Sequence, residues 1–204
     1  MRAAIFQGPG AIAVGDRPDP RIEQPTDVVV RITSTGFCGS DLHMYEGRTE
    51  MQKGQVLGHE NMGVIAEVGA SVKALKKGDR VVIPFNIACG TCFNCVPEQT
   101  HACLTANPDA PTAGYGYAGM GPYRGGQAEL LRVPWAEFNC HKLPGQAGDA
   151  LEDDFSASLR RVSDRLPRHR AGMRPPGKHG RRLRPAAQRL HQGDPQAREE
   201  GRMR

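Results

Sequence analysis

The sequence predicts a mainly β, barrel-like domain over residues 1–145, followed over 146–204 by a basic tail with no domain of its own. Three observations lead there. Short β-branched runs recur along the first part, separated by Gly and Pro and not by helical periods. Four cysteines crowd into 15 residues, at Cys89, Cys92, Cys95 and Cys103, and mark a loop over 86–105 that a metal ion can fold. Beyond Phe155 the residues that build cores nearly vanish: 156–204 hold no Ile, Phe, Tyr, Trp or Cys, and one Val.

The elements follow in order. Val28-Val29-Val30-Arg31-Ile32-Thr33, between Pro25 and Gly36, is a strand. A short helix begins near Cys38-Gly39-Ser40-Asp41-Leu42-His43. Residues 63–69 and 79–84 read as two further strands, and Lys76-Lys77-Gly78-Asp79 as a turn whose glycine takes positive φ. The segment 128–133 forms a strand that ends at Pro134.

Charge divides the chain at the same place. Residues 1–145 carry 13 Lys and Arg against 14 Asp and Glu, a net of −1, whereas 146–204 carry 14 against 8, a net of +6. The tail therefore supplies the whole formal charge of +5, and a pI near 9.0 says nothing about the domain. Nucleic-acid binding through the tail is not expected, because beyond Phe155 it has no aromatic residue to stack on a base, and it carries eight acids among its bases. No apolar stretch is long enough for a membrane span. The start, Met1-Arg2-Ala3-Ala4-Ile5-Phe6, lacks the apolar core and cleavage site of a signal peptide. Clustered thiols without a signal favour metal in a reducing cytoplasm over three disulfides.

The C-x2-C-x2-C-x7-C spacing supplies four soft ligands, which close a tetrahedral zinc site and leave no position for substrate. A disulfide pair or redox thiols are the alternative. Cys38 and His59, 21 residues apart, are the mixed sulfur and nitrogen pair that an open, Lewis-acidic zinc uses. Each alone reads equally well as a core or surface residue. As ligands, they would have Ser40 and His43 nearby to pass a substrate proton outward, and Asp41 to orient the His59 imidazole. Gly114-Tyr115-Gly116-Tyr117-Ala118-Gly119 fits the dinucleotide pattern G-x-G-x-x-G, but prolines precede and follow it, so it reads as a loop.

Cys38-Gly39-Ser40-Asp41-x-His43, Gly58-His59-Glu60-Asn61-x-Gly63 and Gly78-Asp79-Arg80-Val81 resemble the zinc-dependent medium-chain alcohol dehydrogenases. Pro84-Phe85-Asn86-Ile87-Ala88-Cys89, Tyr115-Gly116-Tyr117 and residues 120–129 are similar to the glutathione-independent formaldehyde dehydrogenase branch, relatives of which dismutate aldehydes. The resemblance runs from residue 1 to about 155 and implies a GroES-like catalytic domain. It implies a catalytic zinc on Cys38 and His59 with Glu60 close behind, and a structural zinc on Cys89, Cys92, Cys95 and Cys103. Gly39, Ser40 and His43 would touch NAD or the proton relay. The implied substrate is a small alcohol or aldehyde, and an intact relative would be a homo-oligomer. Cys140 matches no site of the family.

Members of the family continue with a Rossmann domain, which is missing here. The branch's third ligand to the catalytic zinc is an aspartate whose place falls near Arg161; Asp164 stands in an unrelated context and takes no role. The tail reads as a shifted frame. One base forward, 163–172 permits Pro-Thr-Gly-Cys-His-Gly-Thr-Glu-Leu-Ala, and 178–184 permits Ser-Thr-Val-Ala-Val-Phe-Gly, a first Rossmann strand. Such a tail cannot offset ordering costs of ~1–2 kcal/mol per residue and is expected to stay disordered. The expectation is a truncated N-terminal half without turnover. A non-enzymatic zinc-binding fragment and a nucleic-acid binder are the competing readings.

Overall fold

The computed structural model describes residues 1–107 and 109–157, all within the first of the two units, Met1–Ala171 and Gly172–Arg204, into which the chain divides. The expectations for the tail, its shifted frame, Arg161 and Asp164 lie outside the described residues.

The chain opens on an antiparallel hairpin of β1 (Arg2–Gly8) and β2 (Ala11–Asp16). The main sheet is antiparallel and five-stranded, built from β3 (Val28–Thr35), β4 (Asn61–Val68), β5 (Arg80–Ile83), β6 (Leu130–Val133) and β7 (His141–Lys142). Its spatial order is β6-β3-β4-β5-β7. Three short helices lie between and after the strands: α1 (Gly39–Tyr45), α2 (Ala136–Asn139) and α3 (Glu152–Ala157). Among the described residues, no helix is long and apolar enough to cross a membrane.

Central strands read as continuous apolar runs because both their faces are covered. Val28, Val29 and Val30 on β3 are all buried, as is every residue of β5. Val28, Val30, Val81 and Ile83 join Ile65, Ile87 and Tyr115 in one core that also takes in Cys95 and Cys103, while Val82 packs on the other face with Met62 and Leu143. Two register shifts between β3 and β4, at Val29/Val30 and Ile32/Ser34, are bulges of the kind that bend a sheet. The hairpin is laced to two other segments. Ala4 N–H donates to Gln127 O at 2.7 Å, and Phe6 N–H donates to Gln55 O at 2.9 Å.

The four expected strands and the helix at Cys38 are present, and Gly78 turns at φ 93°. The hairpin, β7, α2 and α3 were not anticipated. β7 is two residues long and exists through its pairing with β5. α2 starts after Trp135, a non-glycine residue at φ 43°, which no local propensity announces.

Candidate metal centres

Two clusters of ligating side chains converge in the fold, and both were read from the sequence. In each, the ligand atoms all lie within 4.8 Å of one another: Cys89, Cys92, Cys95 and Cys103 in one, Cys38, His59 and Glu60 in the other.

The second cluster is built at the start of α1. Cys38 is the N-cap residue, in extended conformation at φ −88° and ψ 154°. Its N–H donates to Asp41 Oδ2 at 2.8 Å, so the helix's first turn locks the cysteine against the aspartate. Asp41 is only 1 % exposed, and its other oxygen, Oδ1, lies 3.5 Å from Nδ1 of His59. Neither of those facing atoms has a hydrogen-bond partner among the described residues. Burial pushes the Asp41 carboxyl above the ordinary carboxylate range, against the opposing pull of His59 and of the Cys38 N–H. A proton on Nδ1 facing Asp41 leaves Nε2 as the lone-pair nitrogen, the tautomer that can ligate a metal. Ser40 Oγ sits 3.1 Å from that Nε2.

Aromatic and glycine neighbours hold the imidazole. Its ring lies 4.8 Å from Phe85 and 6.3 Å, edge-on, from Tyr117, centroid to centroid. Gly58, just before His59, has φ +98°, and a β-carbon there would sit 2.6 Å from the Gln127 backbone nitrogen. Gly58→Ala should therefore cost about 1–3 kcal/mol and displace His59. A thermal melt together with zinc counting checks this, and unchanged melting and metal content would refute it. At Gly36 a β-carbon would lie 2.2 Å from Glu60 Oε2, so the missing side chain makes room for the glutamate.

The remaining candidates sit at the rim. Gly39 is exposed, and nothing lies within 4 Å of a β-carbon placed on it. His43 is exposed in the last turn of α1, and its ring makes no hydrogen bond to a described residue. Phe37 and Leu42, next to them in the chain, are 59 % and 40 % exposed.

In the four-cysteine loop the sulfur of Cys89 is 4.0 Å from that of Cys95, and the sulfur of Cys92 is 3.9 Å from that of Cys103. Tetrahedral zinc with Zn–S bonds near 2.3 Å requires sulfurs about 3.8 Å apart, so the donor set fits the ion. Backbone N–H groups also point at the sulfurs. Cys92 N–H donates to Cys89 Sγ at 3.3 Å, and Cys89 N–H to Cys103 Sγ at 3.4 Å. Such donors, that of Leu104 foremost, bring the Cys92 thiol down to about 6. Burial pushes the Cys89 thiol up, but hydrogen bonding with Thr105 and Thr91 outweighs it and leaves that thiol below its ordinary value. Burial and the neighbouring thiols push Cys95 well up instead. Cys140 is outside both clusters, buried, and its thiol is raised by that burial.

The G-x-G-x-x-G segment is a loop. Gly114 forms an isolated bridge with Asn86, Gly116 and Gly119 turn at φ 54° and 72°, and no helix follows them. Sequence reasoning missed Gly36, the Phe85 and Tyr117 rings around His59, and the buried Arg80. The one signal for Arg80 was a charge inside an otherwise apolar strand.

The alcohol dehydrogenase GroES-like domain matches residues 24–145. A zinc-type alcohol dehydrogenase-like protein of Bacillus subtilis is 50 % identical over 147 residues, covering 71 % of this chain and 39 % of the relative. Glutathione-independent formaldehyde dehydrogenase of Pseudomonas aeruginosa is 44 % identical over 151 residues, covering 71 % of this chain and 38 % of its own length. Among solved structures, alcohol dehydrogenase TADH from Thermus sp. ATN1 superposes with a TM-score of 0.64 at 42 % identity, over 71 % of this chain and 40 % of that one. The chain spans about two fifths of the length of these relatives. A mainly β domain matched over residues 24–145 places this chain in the alcohol dehydrogenase GroES-like domain family.

Proposed function

We propose that this chain is the N-terminal catalytic half of a zinc-dependent, NAD-linked dehydrogenase that oxidises a small alcohol or hydrated aldehyde, formaldehyde being the type. The observation that carries the reading is the convergence of Cys38, His59 and Glu60, with the buried Asp41 facing His59 Nδ1. Cys38 and His59 would hold the catalytic zinc, and the four later cysteines the structural one. Bound zinc would polarise a substrate oxygen as a Lewis acid, and NAD would accept the hydride.

The chain's own residues supply orientation and proton transfer. Asp41 fixes the His59 tautomer and keeps Nε2 aimed at the metal. Ligation at Nε2 would free the Ser40 hydroxyl, now 3.1 Å from that nitrogen, to accept the substrate proton. His43, exposed in the same helix, offers the next step toward solvent. Gly39 leaves open space where a nicotinamide would approach. Glu60, beside Cys38 and His59, balances the charge behind the ion. The setting proposed is the cytoplasm, and the intact protein a homo-oligomer.

Alone, the 204-residue chain is expected to give no dehydrogenase turnover, because among the described residues there is no Gly-rich strand-turn-helix to bind a dinucleotide. NADH formation by the purified chain with NAD and formaldehyde would refute this. The site itself is tested by grafting. Residues 1–157 should replace the corresponding part of the Pseudomonas aeruginosa formaldehyde dehydrogenase. The chimera should reduce NAD with formaldehyde, and Cys38→Ser or His59→Ala should lower kcat/KM by about 10³-fold or more. A folded chimera in which both substitutions leave kcat/KM within about threefold would sink the assignment.

A further inference from the structure

We propose that a cavity between Arg17 and Arg124, separate from both thiol clusters, binds a small organic oxyanion with an apolar body, a carboxylate or a phosphate monoester. The cavity measures about 210 Å³. Arg17 and Arg124 line it, and Met51, Val56, Tyr117 and Tyr123 add apolar and aromatic wall. No acidic residue lines it.

The charge is what points to a ligand. Arg17 donates only to backbone oxygens, of Asp16 and Gly54, each at 2.9 Å. Arg124 donates to the Pro18 oxygen at 3.3 Å. Neither forms an ion pair with a described residue, so two arginines with most of their N–H donors unused by described residues line one hollow. Glu50 lines an adjoining hollow that shares Met51 and Gln55, yet it pairs with neither arginine.

A larger neighbouring cavity, of about 580 Å³, gives the contrast. It shares Arg124 and adds Arg21 and Arg132, but carboxylates stand in its wall: Arg132 pairs with Glu23, and Asp19 pairs with the amino group of Met1. The Arg17 and Arg124 cavity has no carboxylate in its wall. Guanidinium forks match the planar or tetrahedral oxygens of carboxylates and phosphates. A hollow of about 150 Å³ accepts a benzene ring, so this one has room for a ring or short alkyl body plus one anionic group.

Titration calorimetry of the purified 204-residue chain with benzoate, phenyl phosphate and neutral benzyl alcohol tests the proposal. At least one anion should bind saturably with Kd below about 1 mM, weaken as salt rises, and exceed benzyl alcohol by about tenfold or more. Whether benzoate or phenyl phosphate binds more tightly separates a carboxylate ligand from a phosphate ligand. Arg124→Gln, at an exposed residue with one backbone contact, should weaken binding by about tenfold. Arg17→Gln combined with it should abolish binding, and Arg17→Lys should retain part of it. Cys38→Ser, at a residue that lines no part of the cavity, should leave anion binding unchanged, which separates this cavity from the metal centre. The proposal is overturned if neither anion saturates below about 10 mM, if benzyl alcohol binds as well, if Arg124→Gln binds normally, or if binding follows Cys38.

Discussion

Stripping zinc from the four-cysteine loop, or replacing Cys103 by Ser, will unfold residues 86–105 and take the core behind them with it. The only regular element in that stretch is the single 3-10 turn Thr100–Ala102. Cys95 and Cys103 pack in the same core as Ile87, Ala88, Ala106 and Tyr115, so the loop is continuous with the domain's interior. Structural zinc in small sites contributes an apparent 10–16 kcal/mol, roughly the whole net stability of a domain. Loss of one ligand should remove enough of that to abolish cooperative melting. His59→Ala is the contrast. It removes a proposed ligand whose ring is held by Phe85 and Tyr117, so it should lower zinc content while the domain still melts cooperatively. Zinc counting by native mass spectrometry, paired with circular dichroism melts, decides the matter. A Cys103→Ser chain that melts within about 2 °C of the parent would contradict the zinc-folding account.

How much of this was legible in the sequence depended on how local each signal was. β3 and β5 announced themselves through the β-branched runs Val28–Val30 and Val81–Ile83, which are buried on both faces, and β4 through Val64-Ile65 between two glycines. β2 did not: Ala11, Ile12, Ala13 and Val14 are all exposed, and the strand is held by its register with β1. The thiol cluster is compact in the chain and so was visible at once. Cys38 and His59 were harder, because only folding brings residues 21 positions apart to within 4.8 Å. Asp41, read as a residue that could orient His59, lies with Oδ1 3.5 Å from His59 Nδ1. Gly36 and Gly58 were invisible as constraints, since the side chains they accommodate, Glu60 and Gln127, are set by tertiary structure. The Arg17 and Arg124 cavity joins residues more than a hundred positions apart and has no motif.

Arg80→Met will destabilise the domain by about 3 kcal/mol and loosen the segment 144–155 from the sheet. Arg80 lies inside β5 with its side chain 1 % exposed, yet its guanidinium is heavily committed. It donates to Asp149 Oδ1 and Glu152 Oε2 at 2.9 Å each, to Gln146 O at 2.8 Å, and to the Pro144 carbonyl. The Phe155 ring covers it at 4.9 Å. Removing one partner of a buried charge network costs about 3–5 kcal/mol. The lower end applies because Asp149 and Glu152 are 30 % and 19 % exposed and can regain water. At about 2–4 °C per kcal/mol, the melting temperature should fall by about 6–12 °C. The pH dependence carries a second signature. Arg80 beside Asp149 holds that carboxyl below the ordinary range. For Glu152, burial pushes upward, but hydrogen bonds from Thr33 and Arg80 outweigh it. Both carboxyls are therefore depressed in the folded state. Their contribution is present above the unfolded carboxylate values near pH 4 and is lost as pH falls through the lower folded values. Arg80→Met should flatten that acid-side loss, whereas a mere packing defect would leave it intact. A substituted chain with the parental melting temperature and the parental acid profile would mean that Phe155 and apolar packing, not the guanidinium, hold 144–155 in place.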